Sequence, residues 1–163
     1  MIILGVDTSL RSTGYGVLEL EGSKMKALDM GNIKNPQTRK VSECLKAIHD
    51  KIAALIETYE PDVMSVEEVI YAKNALTTLA LGQARGAVIL AGVNANIPIY
   101  EYEPRRMKKA VCGNGLAEKA QIQRMIKTLL NLSELPQNDA ADALGLAICH
   151  AHSRGPLSKE EPL

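Results

Sequence analysis

The sequence contains neither Phe nor Trp, and its aromatic residues are five Tyr. Any stacking of an aromatic ring on a ligand therefore falls to a tyrosine. The three cysteines, Cys44, Cys112 and Cys149, are too few and too scattered for a disulfide framework or a zinc site. Buried or neutral thiols fit a reducing compartment, so we expect a cytoplasmic location.

The sequence also lacks net charge, since 19 Lys and Arg balance 19 Asp and Glu. Neutrality alone is not typical of a nucleic-acid-binding protein. We find no apolar stretch both long and uninterrupted enough to span a bilayer, and the first residues lack the features of a signal peptide, so we expect no membrane association. The length, 163 residues, predicts one folded domain over residues 1–153, followed by a flexible tail over 154–163.

The order of apolar patterns predicts an α/β fold, a mixed sheet with helices on its faces. Strands are predicted at 2–6, 14–20, 25–33, 62–67 and 97–102. Helices are predicted at 41–59 and 75–94, on both sides of a break at 113–115, and at 138–152 with Asn138 as the N-cap. The helix over 75–94 is apolar nearly all round, which indicates a sandwiched helix or one in a subunit interface.

Several carboxylates occupy positions where a site could form. Asp7 ends the first predicted strand, and Glu67 and Glu68 end the fourth, where α/β sheets commonly form their sites. Asp139 and Asp142 are three residues apart at the start of the last helix, so both project from one face. One acid there would usually compensate the helix dipole, but two beside apolar neighbours are harder to explain in that way.

Such a cluster indicates a metal site, because like charges are costly to bury together unless a cation neutralises them. Oxygen ligands without His or Cys favour Mg²⁺ or Mn²⁺. Two such ions could activate a water and stabilise the leaving oxygen of a phosphodiester. Successive strand residues face opposite ways, so either Glu67 or Glu68 can join Asp7, and the spacing does not choose between them.

The segment from 104 to 127 is strongly basic. It holds seven cations against the single acid Glu118. The cations are Arg105, Arg106, Lys108, Lys109, Lys119, Arg124 and Lys127. A charge run is usually a solvated helix face, but this imbalance in a neutral protein favours a phosphate-facing patch.

Taken in order along the chain, these stretches resemble the bacterial RuvC-type Holliday junction resolvases, a family with a ribonuclease H-like fold. The stretches are ILGVD at 3–7, RSTGYG at 11–16, VEEV at 66–69, AKN at 72–74, LGQARG at 81–86, AEKAQ at 117–121 and DAADAL at 139–144. Each is weak alone. Together they cover the chain to about residue 152 and are specific.

The resemblance implies a ribonuclease H-like, five-stranded mixed sheet and a nuclease that nicks four-way DNA junctions in symmetric pairs. It places the catalytic, metal-binding acids on Asp7, Glu67, Asp139 and Asp142, and so chooses Glu67 over Glu68. It places lysines near the cut phosphate at Lys108 and Lys119, with Lys119 catalytic. Mg²⁺ or Mn²⁺, two ions per site, is the implied cofactor.

The implied DNA-contacting residues lie in the matching stretches and in the basic segment. They are Arg11, Tyr71, Lys73, Arg85, Arg105, Arg106, Lys108, Lys109 and Lys119. The implied partners are four-way junction DNA, a second copy of the chain in a homodimer, and a RuvA–RuvB-type branch-migration complex. The chain departs from the family pattern at Thr8-Ser9, where many relatives have Pro-Gly, and at Ile70, where many have an aromatic residue.

Two alternative functions share some of these features. A strand ending in Asp7 and a Ser/Thr/Gly turn also opens the phosphate loop of sugar-kinase and actin-like proteins, but those need two lobes. A module that binds junctions without cutting them would not need four acids, which repel DNA phosphates in the absence of a metal.

Overall fold

The computed structural model describes residues 1–68, 74–154 and 161–163. Their strands form one five-stranded sheet in the order β3-β2-β1-β4-β5. The strands are β1 (Ile2–Asp7), β2 (Ser12–Glu21), β3 (Lys24–Lys34), β4 (Val63–Glu67) and β5 (Ile99–Tyr102). β1 pairs antiparallel with β2 and parallel with β4. At the two edges, β3 pairs antiparallel with β2, and β5 pairs parallel with β4. The expected mixed sheet is confirmed.

Five helices cover the two faces of this sheet. They are α1 (Val41–Tyr59), α2 (Ala75–Asn94), α3 (Pro104–Cys112), α4 (Lys119–Leu129) and α5 (Asn138–Ser153). One apolar core joins the sheet to α1 and α2, and a second joins the opposite face to α3, α4 and α5. The expectation that Asn138 caps α5 was wrong by one residue. Gln137 has the extended backbone of the cap, and its carbonyl accepts the first helical hydrogen bond, from Ala141 at 2.8 Å.

Glycines let α5 lie unusually close to the sheet. A Cβ at Gly14 would lie 2.0 Å from the carbonyl oxygen of Asp139, and a Cβ at Gly5 would lie 2.0 Å from that of Ala143. Only a residue without a side chain allows the backbone of a helix to approach in this way. The glycines therefore bring the acidic first turn of α5 onto the ends of β1 and β2.

The exposed face of α2 is the main apolar surface of the described chain. By length and composition alone this helix could cross a membrane, which qualifies the expectation that no apolar stretch is long enough to do so. In the structure, 22 % of its most apolar stretch is buried. That property is weak evidence by itself, because interface helices share it.

Most of the expected flexible tail lies outside the described residues. The backbone N–H of Leu163 donates to the Ile99 carbonyl at 2.9 Å.

Candidate active site at the ends of β1 and β4

Two carboxylates lie side by side at the ends of neighbouring strands. β1 and β4 run parallel with Val6 opposite Val66, so Asp7 and Glu67, which follow them, end the two strands together. Asp139 and Asp142 approach from the first turns of α5, which packs on β1 and β2. Three elements that are distant in sequence thus supply one acidic cluster.

The electrostatics of Asp7 show how crowded this cluster is. Burial, followed by the charges of Glu67, Asp142 and Asp139, raises the pKa of Asp7 to about 8. Lys119 opposes the shift. In the absence of a cation, the Asp7 carboxyl therefore holds its proton close to neutral pH.

Glu67 and Asp142 share this environment. Burial is the main cause that raises the pKa of each carboxyl, and the charge of Asp142 adds to it at Glu67. Lys119 and Lys108 lower both pKa values, so these two cations face the cluster. The two lysines come from the start of α4 and from α3, inside the basic segment.

Asp139 has different surroundings. Its Oδ2 accepts hydrogen bonds from Ser12 Oγ at 2.5 Å and from Asn32 Nδ2 at 2.8 Å. An open pocket of about 410 Å³ adjoins these residues. Reasoning from the sequence missed Ser12 and Asn32 as site residues, since nothing in their local pattern reveals that two strands bring them to Asp139.

Glu67 and Glu68 are separated as strand alternation requires. Glu67 is partly buried in the acidic cluster, whereas Glu68 is exposed and its charge acts on Arg85 of α2. The geometry thus places Glu67, and not Glu68, beside the other acids.

The donor chemistry of the cluster fits a hard divalent cation, because carboxylate oxygens are the ligands that Mg²⁺ and Mn²⁺ prefer. Among the described residues, no three His, Cys, Asp or Glu side chains are already gathered closely enough to hold a metal ion. The cluster thus has the donor atoms for such a cation without a ready-made ligand cage.

Three arginines expected to contact DNA make contacts within the chain. Arg11 Nη1 donates to the carbonyls of Pro36 at 2.8 Å and Arg39 at 3.0 Å, and so holds the loop after β3. Arg85 forms an ion pair with Glu101. Arg106 donates a hydrogen bond to Ser153 Oγ at 3.0 Å, and its guanidinium lies 5.1 Å from the centre of the Tyr102 ring.

The remaining cations of that set are more available. Arg105, Lys109 and Lys119 are exposed, and Lys108 is partly exposed. Tyr71 and Lys73 lie outside the described residues, as does Ile70, so the structure does not place them. No disulfide joins the three cysteines, and Cys44 and Cys149 are buried.

Comparison with known proteins decides the family. The sequence profile of the crossover junction endodeoxyribonuclease RuvC family matches residues 3–150. The chain belongs to this family. It is 50 % identical over 155 residues to the crossover junction endodeoxyribonuclease RuvC of Citrifermentans bemidjiense, covering 95 % of this chain and 94 % of the relative. The corresponding protein of Halothermothrix orenii is 46 % identical over 154 residues, covering 94 % and 93 %.

A solved RuvC structure confirms the fold. Thermus thermophilus RuvC, in complex with a Holliday junction substrate, superposes with a TM-score of 0.92 at 30 % identity and covers 100 % of this chain and 99 % of that one. The ribonuclease H-like sheet implied by the resemblance is therefore correct. The chain is a crossover junction endodeoxyribonuclease of the metal-dependent RuvC family, and the sugar-kinase and actin-like alternative is not favoured.

The raised pKa of Asp7 predicts how pH changes the stability of the metal-free protein. The folded state keeps a proton that the unfolded chain, with a carboxyl pKa of 3.8, releases. Stability from this group is full below about pH 4 and is lost as the pH rises towards 8. We expect Asp7→Asn, which cannot ionise, to raise the free energy of unfolding at pH 8 in EDTA, and the gain to shrink as the pH falls towards 4.

Denaturant unfolding across this pH range measures the effect. Asp50→Asn is the control, because Asp50 is an exposed partner of Lys46 on α1 and its loss should change stability little. An Asp7→Asn gain that is absent at pH 8, or largest at pH 4, would contradict the prediction.

Proposed function

We propose that this chain resolves four-way DNA junctions by hydrolysing one phosphodiester in each of two strands at the cluster of Asp7, Glu67, Asp139 and Asp142. The observation that carries the proposal is the convergence of these four acids from β1, β4 and α5 in a chain of a junction-endonuclease family. The Thermus thermophilus relative was solved with a Holliday junction as its substrate, which supports the same substrate here.

The proposed cofactor is Mg²⁺, with Mn²⁺ as an alternative, and two ions per site. When bound, such ions activate a water and stabilise the leaving oxygen of the phosphodiester. The four carboxylates supply the oxygen ligands. Lys108 and Lys119 lower the pKa of Glu67 and Asp142, so they favour the ionised form that binds a cation. The same lysines supply positive charge for the phosphate, and Lys119 is the proposed catalytic lysine.

The proposed DNA surface is the exposed part of the basic segment around α3 and α4. Arg105, Lys108, Lys109 and Lys119 contact the phosphates directly, whereas Tyr71 and Lys73 stay predictions from the resemblance. Arg11, Arg85 and Arg106 stay predicted DNA contacts from the resemblance, and each also contacts another part of its own chain. Phosphate contacts position the duplex and leave the preferred cleavage sequence to other features.

We expect Asp7→Asn, Glu67→Gln, Asp139→Asn and Asp142→Asn each to abolish cutting while junction binding is retained. Carboxylates hold the metal, whereas affinity for DNA comes from cations. Glu68→Gln is the matched control for Glu67→Gln, because Glu68 faces Arg85 on the other side of the sheet. Cleavage and gel-shift assays on a synthetic junction measure both properties.

An Asp139→Asn variant that cuts at the parent rate would contradict the assignment. Equal losses for Glu67→Gln and Glu68→Gln would contradict the proposed strand register. A parent protein that binds the junction but never cuts it, with any divalent metal, would favour the non-cutting alternative.

We expect Lys119→Ala and Lys108→Ala to slow cleavage, on the order of 10²-fold for a lost charge at the reacting phosphate. Junction binding should fall steeply with salt, because neutralised phosphates release counterions. Lys46→Ala is the control, since Lys46 lies on α1 beneath the opposite face of the sheet and pairs with Asp50. A flat salt dependence, or equal losses in all three variants, would contradict the proposed surface.

We propose that the enzyme is a two-fold homodimer that uses the exposed face of α2. Four large apolar side chains of α2 are more than half exposed: Leu76, Leu79, Leu90 and Val93. They recur with Gln83 and Gly86 at steps of three and four residues, as in the seam of a coiled coil. The two strands to be cut are related by the pseudo-symmetry of the junction, which a two-fold dimer matches.

Small residues on the same face permit close approach. A Cβ added at Gly82 or Gly86 meets nothing within 4 Å in the chain, so this surface has room for a neighbouring helix. Ala84 and Ala91 of the same helix are buried within their own chain. The interface therefore rests on the glycines and leucines.

We expect Leu79→Glu to convert the dimer to a folded monomer, because it places a charge in the centre of the apolar stripe. Sedimentation equilibrium at micromolar protein measures the mass, and circular dichroism checks the fold. Leu135→Glu is the control, since Leu135 is similarly exposed but lies outside α2. A monomeric parent, or a Leu79→Glu variant that stays dimeric, would contradict the proposal.

A RuvA–RuvB-type branch-migration complex is the proposed partner on the same junction, by analogy with the family. A cytoplasmic location is proposed with it, and cysteines that form no disulfide are consistent with a reducing compartment.

A further inference from the structure

Asp139 is held by two side chains that neither the family resemblance nor the proposed mechanism uses. We infer that Ser12 and Asn32 are positioning residues, which fix one oxygen of Asp139 so that the other is presented to the metal. Both side chains donate to the same atom, Oδ2, at 2.5 and 2.8 Å. Among the described residues, Oδ1 accepts no hydrogen bond. The inference rests on the proposed role of Asp139 as a metal ligand.

The register of the sheet explains how the two donors reach one carboxylate. Asn32 of β3 lies directly opposite Gly14 of β2, and Ser12 is two residues before Gly14. Directly opposite residues, and residues two apart in a strand, share one face of a sheet. Gly14 has no side chain and lies against the Asp139 backbone, so Ser12 and Asn32 flank the point where the first turn of α5 contacts β2.

The orientation of the Asn32 amide indicates more than packing. Its Nδ2 donates to Asp139 and lies 3.2 Å from Ser12 Oγ, whereas its Oδ1 is buried and finds no partner in the part of the chain that the structure describes. Buried polar atoms are nearly always hydrogen-bonded, and exceptions call for an explanation. Here the Asn32 amide donates to the Asp139 carboxylate, although its own carbonyl oxygen is left without a hydrogen bond among the described residues.

The position of Asp139 explains why it needs such support. Within the described residues, it is the member of the four acids whose carboxylate accepts side-chain hydrogen bonds. It borders the open pocket of about 410 Å³, which Gln123 and Gln137 also line. Hydrogen bonds to a ligating carboxylate fix its orientation before the metal arrives, and their loss typically lowers metal affinity about 10–100-fold.

The test is Mn²⁺ binding to the DNA-free protein, measured by calorimetry, in matched variants. Ser12→Thr keeps the hydroxyl and adds one methyl group, and Ser12→Val has the shape of that threonine without the hydroxyl. Asn32→Leu removes the amide at similar size. We expect Ser12→Val and Asn32→Leu to bind Mn²⁺ about 10–100-fold more weakly, and Ser12→Thr to bind close to the parent. Cleavage by the weakened variants should recover as Mn²⁺ is raised to saturation.

Parent-like Mn²⁺ affinity in both Ser12→Val and Asn32→Leu would overturn the inference, as would an equal loss in Ser12→Thr. A purely structural role would lower the thermal stability of the metal-free variants without changing the affinity of the folded fraction, and this result would overturn it too. If Ser12→Val does not fold, Asn32→Leu decides alone.

Asp139→Asn separates this inference from the proposed function. If Asp139→Asn loses Mn²⁺ binding while the Ser12 and Asn32 variants keep it, the inference alone is wrong. If Asp139→Asn binds Mn²⁺ as the parent does, the proposed ligand role of Asp139 is itself wrong.

Discussion

The partial burial of four neighbouring carboxylates is the constraint on which the candidate active site depends. Asp7 ends the central strand among three other acids, and burial with their charges raises its pKa to about 8. A folded protein ordinarily avoids such a cluster, because each charge loses hydration without gaining a partner. Here Asp7 keeps a proton in the metal-free state, and a divalent cation is suited to take the place of that proton.

The close packing of α5 is what brings the acids together. Hydrophobic burial drives the helix onto the sheet, and the core on that face contains Leu144, Leu146 and Ile148. Gly5 and Gly14 remove the side chains that would keep the helix backbone away. The apolar core thus supplies the free energy that holds the charged first turn of α5 beside Asp7.

Positive charge is divided between two tasks in this protein. Lys108 and Lys119 oppose the carboxylates and lower their pKa values, so they remain directed at the reaction centre. Arg11, Arg85 and Arg106 instead hold loops and helices through contacts with residues far away in sequence, such as Glu101 and Ser153. A motif with an arginine therefore does not by itself indicate a phosphate contact, because a planar guanidinium also suits buried intramolecular hydrogen bonds.

The sequence alone determined the order of strands and helices, the four acids and the basic segment. These features depend on the periodicity of apolar residues and on residue type, and both can be read directly from the sequence. It also predicted that Glu67 and Glu68 face opposite ways, although the choice between them needed the family resemblance.

Only the tertiary structure decided which polar groups meet. Ser12 and Asn32 reach Asp139 through the register of β2 and β3 and through the close contact of α5 with Gly14. The N-cap of α5 is Gln137, one residue before the expected Asn138. Likewise, the apolar stripe of α2 could belong to a core or to an interface until the packing of α1 against its other face left the stripe exposed. The physical reason is the same in each case. Contacts between residues many positions apart depend on how elements pack, and local sequence patterns carry no record of that packing.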